Sequence, residues 1–231
     1  MSRRLAATTD SVAAVPVAAA QASLAFPPPA ASGAVIMVPS AWTSSEVGGA
    51  GVVPEFDLDI WSTGSLTLTV AELMAGRLRA LTIAAFDVTS VTHGSETFTK
   101  VAHGMLTGDG PVQLTNAGGA LPAGTAVLTD YWIIKGTDDT FFLADSLALA
   151  LAGTKHLITG DGTGTHTVTG ASGCSRVYFH SHGTLPASIP LTNQRAITRR
   201  CDHRPGVVCY ALVGTLSAGT VLYSITPVQE R

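Results

Sequence analysis

Charge is what this 231-residue chain has least of: Asp, Glu, Lys and Arg make up 13% of it, 13 basic side chains stand against 16 acidic, and the formal net charge is -3. A freestanding soluble enzyme carries about a quarter charged residues to keep its surface solvated, so this poverty predicts a surface largely covered by neighbours. It also argues against bulk nucleic-acid binding, which needs Lys and Arg gathered along one face to displace counterions from phosphates. Cysteine is scarce too. Cys174, Cys201 and Cys209 cannot make a disulfide framework, and none sits in a Cys-x-x-Cys pair. They fit small buried side chains made in a reducing cytoplasm. Long apolar runs are missing: residues 17–26 are about half of the ~20 that a membrane-spanning helix needs. The glycine-rich TGDGTGTHT lacks the Gly-Lys-Ser/Thr that completes a phosphate-binding loop, and no Gly-x-Ser-x-Gly nucleophile elbow occurs.

Residues 1–45 read as an extended arm. Pro16, the triplet Pro27, Pro28, Pro29, and Pro39 hold extended or polyproline geometry and forbid a continuous helix. No charge occurs between Asp10 and Glu46. The basic start superficially suggests a secretory signal, but Thr8, Thr9, Asp10 and Pro16 interrupt its would-be apolar core. A segment with so little to bury against itself becomes ordered on another surface. It either crosses a neighbouring subunit, donating Val15, Val17, Leu24 and Phe26, or packs back on its own domain. VIMV at 35–38 is its first expected strand.

Beyond the arm, alternation dominates. In EFDLDIWSTGSLTLTV, Phe56, Leu58 and Ile60 alternate with Asp57, Asp59 and Trp61, and Leu66 and Leu68 repeat the pattern after an STG turn. TVAELMAG offers a capping box in Thr69 and Glu72 and a stop in Gly76, which predicts a short helix. LRALTIAAFDV returns as a strand with Leu81 and Ile83 on one face. Much later, RVYFHSH places Val177 and Phe179 on one face, opposite Arg176, Tyr178, His180 and His182. Residues 191–198 are expected to be extended, RRCDHRPG to be a loop, and VVCYALVG with TVLYSITP to form a hairpin across LSAG. Residues 46–88 and 171–231 together thus give about seven or eight strands, the size of a β-sandwich or jelly roll.

Between these halves, residues 89–170 read as a complete small β-domain inserted into the host. Strands are expected at 96–101, 111–115, 131–135, 140–144, 156–159 and 165–169, with a hairpin through GTDD. Asp145 or Ser146 caps the apolar LALALA, which Gly153 ends. The runs FTKVAHGMLTGDGPVQL, DYWII, DDTFFLADSLALALAG and GTGTHTV, in this order, resemble a module recurring in structural proteins of tailed-bacteriophage virions. The likeness covers about 75 of the 231 residues. It implies a virion setting, in which such modules ride on tail, fibre and capsid-surface proteins alike.

Chemistry is thinly signalled. His180 and His182 share a strand face, and with Cys201 and His203 they could supply four zinc ligands, although C-x-H is no standard finger spacing; the competing reading is histidines on a polar or subunit-facing surface. TGDG occurs twice, around Asp109 and Asp161, and reads as turn glycine or, less simply, a calcium contact. The carboxylate pairs Asp57/Asp59 and Asp138/Asp139 sit in strand and turn contexts, where surface solvation accounts for them without a glycosidase site. Arg195, Arg199, Arg200 and Arg204 surround Asp202 and suit carboxylate-gripping salt bridges between subunits.

The sequence therefore predicts an all-β protein: a β-sandwich or jelly-roll host, an inserted small β-rich domain and an N-terminal arm. The resemblance implies a non-enzymatic, cofactor-free virion subunit, homo-oligomeric and bound to the major capsid protein or other virion subunits, with neither membrane nor nucleic acid as partner. Capsid decoration is the first expectation. A tail, baseplate or fibre-attachment subunit whose insert touches a host receptor or glycan is the second, and a polysaccharide-degrading enzyme a distant third.

Overall fold

The computed structural model describes residues 13–17, 33–38, 55–62, 66–184, 188–191, 195–203, 206–216 and 219–228. In chain order these form β1 (Ala13–Val17), β2 (Gly33–Met37), β3 (Glu55–Ser62), β4 (Leu66–Ala80), β5 (Phe86–Asp87), β6 (Ser90–Thr92), β7 (Thr97–Thr99), β8 (Gly110–Ala117), β9 (Trp132–Lys135) and β10 (Thr140–Ala144). There follow α1 (Leu147–Leu151), β11 (Thr165–Thr184), β12 (Ser188–Leu191), β13 (Arg195–Asp202), β14 (Val207–Leu216) and β15 (Gly219–Val228). The protein is nearly all-β, and the pairings between these strands are antiparallel.

The chain divides into two compact units. Among the described residues, one comprises those up to Arg77 and from Phe179 onward, the other Leu78–Tyr178. The boundary falls inside β4 and again inside β11. The 89–170 stretch lies within the second unit, which also takes in 78–88 and 171–178.

In the first unit, one sheet runs β1-β15-β3-β13, while β14 pairs with β2 and β4, and β12 also pairs with β4. Phe56 and Leu58 of β3 are fully buried while Asp57 and Asp59 between and beyond them are partly exposed, as alternation requires. The two sheets meet where the Phe56 ring lies 4.7 Å from that of Tyr210 on β14.

Of the two placements expected for the arm, residues 13–17 take the second, packing back on their own chain, and two further local expectations fail because a distant partner outweighs a local signal. Part of the supposed arm is a strand of this chain's own sheet: β1 pairs β15 with Val15 opposite Val221 and Val17 opposite Gly219. That ladder satisfies backbone groups which a lone extended segment would leave to water. TVAELMAG is strand, not helix. Leu73, Met74, Ala75 and Gly76 are buried in succession within β4, and β14 supplies its ladder with Leu212 opposite Leu73 and Tyr210 opposite Ala75. A helix there would present one stripe, whereas a strand covered on both faces buries every residue. Finally, VVCYALVG and TVLYSITP are not paired as a hairpin. β14 bonds to β2 and β4 while β15 bonds to β1 and β3. A turn signal fixes that the chain reverses and leaves its strand partners to burial. β13 also extends through Asp202, so the expected RRCDHRPG loop is strand in its first half.

In the second unit, one sheet runs β6-β7-β10-β9, and β5 and β8 each pair with β11. Phe98, Val112, Leu114, Ile133, Phe141 and Val168 are wholly buried at its core, with the rings of Phe98 and Phe141 stacked 5.4 Å apart. The β9–β10 hairpin through GTDD pairs Ile134 with Phe142 and Ile133 with Leu143. Ser146 caps α1 by accepting the Leu149 N–H at 3.2 Å, and Gly153 follows the helix with φ of 73°. Residues 156–159 make no strand; they are tied by Thr159 N–H to the Ala123 carbonyl, with an Ala123–Gly160 bridge beside it. The LRALTIAAFDV strand likewise breaks at 81–85, although Leu81 and Ile83 are both partly buried between exposed neighbours.

Candidate functional site

The two TGDG strings have opposite fates. Asp109 is completely buried and Arg176 of β11 grips it in a fork, Nε donating to Oδ1 at 2.8 Å and Nη2 to Oδ2 at 2.6 Å. Oδ2 also accepts the Leu106 N–H at 2.8 Å, and Arg176 Nη2 donates onward to the Gly104 carbonyl at 3.2 Å. The backbone joins in, since Gly108 N–H bonds to the Ile133 carbonyl and Ile133 N–H to the Asp109 carbonyl. The carboxylate thereby fastens the 104–110 loop to β9 and β11, and its hydrogen bonds push the Arg176 guanidinium above its ordinary pKa. Asp161, by contrast, stands on the surface, and its carboxyl is held below the ordinary range by the His93 backbone N–H and then the His93 ring.

The histidines of this unit are struts as well. His103 accepts the Met105 N–H at Nδ1 while Nε2 faces the Thr137 and Thr140 carbonyls at 3.0 and 3.2 Å. His156 sets Nδ1 2.6 Å from Asp145 Oδ1 and Nε2 3.0 Å from the Gly124 carbonyl. His166 lies between the Asn116 side chain at 2.9 Å and the Asp161 carbonyl at 3.1 Å. His93 is bound to Asp161. In the first three, both nitrogens are already engaged in joining loops, leaving no lone pair aimed at a metal or a substrate proton. The Asp138 and Asp139 carboxylates bind Lys135 Nζ at 2.7 Å and the Ala102 N–H at 2.8 Å.

What this unit turns outward is aliphatic. Leu128 is 82% exposed, Leu157 66% and Val127 57%. Leu128 has a left-handed φ of 58°, a conformation that costs a non-glycine residue about 1–2 kcal/mol. The loop beneath it is fixed by Thr125 N–H to the Pro122 carbonyl, by Ala126 N–H to Tyr131 Oη at 3.1 Å, and by His156 to Gly124. Leu157 adjoins it, its carbonyl lying 2.6 Å from where a Cβ on Gly124 would stand. Tyr131 itself is core and Trp132 half-buried, so only Trp132 of that aromatic pair reaches the surface.

In the first unit, Arg200 of β13 is 52% exposed and reaches Asp57 Oδ1 at 3.1 Å and Glu55 Oε2 at 3.7 Å on the adjacent β3. These ion pairs lie within the subunit. Arg195 and Arg199 stand on the same strand, in register with Trp61 and Leu58. Leu24, Phe26 and Arg204 lie outside the described residues. Of the four sequence-nominated zinc ligands, His203 is buried with Nδ1 2.7 Å from Tyr210 Oη, and the His182 ring is centred 5.2 Å from that of Tyr210. Among the described residues, no three His, Cys, Asp or Glu side chains are gathered as metal ligands. His182, Arg200, Cys201 and Asp202 line a shallow polar hollow of about 120 Å³, together with Leu73 and Gly183.

One grouping was not foreseen from the sequence and another only in part. Asp109 and Arg176 are 67 residues apart, and no local pattern links them. The alternation that put Arg176 opposite Val177 was legible, but its carboxylate partner was not. The sequence had placed His182 and His203 in one candidate ligand set, and what it did not show is that Tyr210 stands between them. Comparison with protein-family models, with curated proteins and with solved structures finds no match to this chain.

Proposed function

We propose that this chain is a structural subunit of a tailed-bacteriophage virion, most simply a capsid-decoration protein that stabilises the shell by contact area. One observation carries the reading: polar side chains of the 78–178 unit are spent on internal struts, while a fixed loop holds Val127, Leu128 and Leu157 out to solvent. Burying such a side chain contributes about 1.5–3 kcal/mol. That is little for one contact and substantial when repeated by symmetry across an array. The resemblance of the 98–168 runs to virion modules supplies the setting, and the low charge density supports a surface covered by neighbours. The first unit, with β1 and the Arg200 strand, adds contacts of its own to the particle in this reading.

Quantitative mass spectrometry of purified particles tests it. A copy number equal to that of the major capsid protein, or a simple fraction of it, is the expected result. A ratio of a few per cent removes the decoration role and favours a tail or fibre-attachment subunit, for which the same aliphatic loop and half-buried Trp132 would be the receptor-facing surface.

A further inference from the structure

We infer that His156 is a proton-operated pin for the loop carrying Val127 and Leu128: with protons on both ring nitrogens it ties that loop to Asp145, and with one proton gone the loop is released. The ring thereby regulates the aliphatic surface itself, and only the consequence for particle binding rests on the virion reading. The His156 side chain is 16% exposed. Its backbone N–H is anchored on the Leu143 carbonyl at 2.7 Å, and the Tyr131 ring stands edge-on with its centre 5.1 Å away. On one side Nδ1 lies 2.6 Å from Oδ1 of Asp145, just ahead of α1. On the other, Nε2 lies 3.0 Å from the Gly124 carbonyl.

Both partners are acceptors. A carboxylate and a carbonyl have no hydrogen to give, so the ring must donate twice, and only an imidazolium does that. The other histidine struts are arranged differently. His103 receives the Met105 N–H on Nδ1, and His166 faces the Asn116 amide nitrogen with Nδ1, while carbonyls stand at Nε2 of each, so a neutral ring satisfies both sides. When His156 loses a proton, the remaining N–H stays with Asp145, the shorter and charge-assisted bond. Gly124 then loses its donor. The other charged groups on the surrounding segments are committed elsewhere. Lys155 points its Nζ at the Phe142 ring, 3.7 Å from its centre, and at the Ser95 carbonyl and Glu96. Asp130 accepts from Gln113, Asp161 is bound to His93, and Lys135 pairs with Asp138. The Tyr131 hydroxyl accepts the Ala126 N–H.

The loop is held at its base by Ala123, whose N–H bonds to the Gly160 carbonyl and whose carbonyl accepts the Thr159 N–H. Beyond the base, two hydrogen bonds among the described residues tie the 124–129 stretch to structure outside the loop: Gly124 to His156 and Ala126 to Tyr131. Val127 and Leu128, at 57% and 82% exposed, add little hold by burial. Releasing Gly124 therefore leaves the tip on a single tie. The pinned loop holds a proton that the released loop gives up, so pinning is complete in acid and fades as pH rises through the histidine range, by up to about tenfold per pH unit. On the virion reading, attachment through Val127 and Leu128 is then firmer in acid than in base.

Amide hydrogen exchange of the free full chain at pH 5.5 and 8.5, corrected for the intrinsic pH dependence of exchange, tests the pin without any particle. The Thr125 and Ala126 amides, both hydrogen-bonded when the loop is shut, should lose at least threefold in protection at pH 8.5, while those of Ala123 and Thr159 at the base keep theirs. Asp145→Asn is the decisive variant. Its amide can donate to Nδ1, so a neutral ring then serves both sides, and the loop should stay protected at both pH values. His156→Gln should leave the Thr125 and Ala126 amides poorly protected at both. Should this variant fail to fold, nitrogen-15 spectra of the wild-type ring decide instead: both nitrogens should be protonated at pH 5.5 and Nδ1 alone at pH 8.5, the loss coinciding with loop release. Equal protection of the wild-type loop at both pH values, a pH effect that persists in Asp145→Asn, or a ring that sheds its proton with the loop still shut would each overturn the inference. The pin stands or falls by these rates whatever the copy number on particles proves to be.

Discussion

Replacing Asp109 by Ala should cost the second unit about 3–4 kcal/mol. Removing one member of a buried ion pair costs about 3–5 kcal/mol because the survivor keeps its desolvation without its partner. Arg176 belongs at the lower end of that range, since its side chain is 20% exposed and can recover some solvent, whereas Asp109 is fully buried. The Leu106 N–H also loses its acceptor, adding about 1 kcal/mol. With a urea dependence of about 2 kcal/mol per molar, the transition midpoint should fall by roughly 1.5–2 M. Trp132 sits on β9, which the Asp109 loop holds in place, so its fluorescence in a background with Trp42 and Trp61 changed to Phe reports this unit. Arg176→Ala should cost a similar amount, and the double variant much less than the sum of the two, since each removes the same pair. A loss below about 1 kcal/mol in Asp109→Ala, or additivity in the cycle, would refute the view that this pair fastens the loop.

Two further outcomes bear on the second unit. Leu128→Asn should raise its stability by about 0.5–1 kcal/mol in thermal melts, because asparagine tolerates the left-handed φ that leucine adopts there at a cost; in the decoration reading the same change weakens particle binding, so the two assays should move in opposite directions. Gly119→Ala should destabilise by more than about 2 kcal/mol, since the new Cβ would lie 2.2 Å from the Thr163 carbonyl oxygen, backbone that cannot step aside. A neutral melt for Gly119→Ala would mean that the 116–120 and 161–164 loops are less tightly joined than their hydrogen bonds indicate.

The mobile choices in this fold are instructive about what decides them. In the second unit three turn and cap signals matched the outcome: Ser146 begins α1, Gly153 ends it, and the GTDD hairpin pairs β9 with β10. These elements close on themselves within a few residues, so no distant partner competes. Where a remote strand competes for the segment, the local signal failed. Thr69 and Glu72 satisfy a capping box on paper, yet the strand partner β14, more than a hundred residues later, turns the segment into the middle of a sheet.

The sequence by itself determined that the protein is all-β, that strands lie within the 111–115, 131–135 and 140–144 runs and over the middle of the 96–101 run, and that the chain carries little charge. Period-two alternation and turn residues carry that information because they act between neighbours. Only the tertiary structure decided that Asp109 is a buried clasp while the identical TGDG string at Asp161 lies in solvent, that β1 joins its own chain's sheet, and that His182 and His203 meet around Tyr210. Each of those depends on which remote segment arrives at the site and excludes water from it, and contacts between segments far apart in sequence leave no periodic trace in either one.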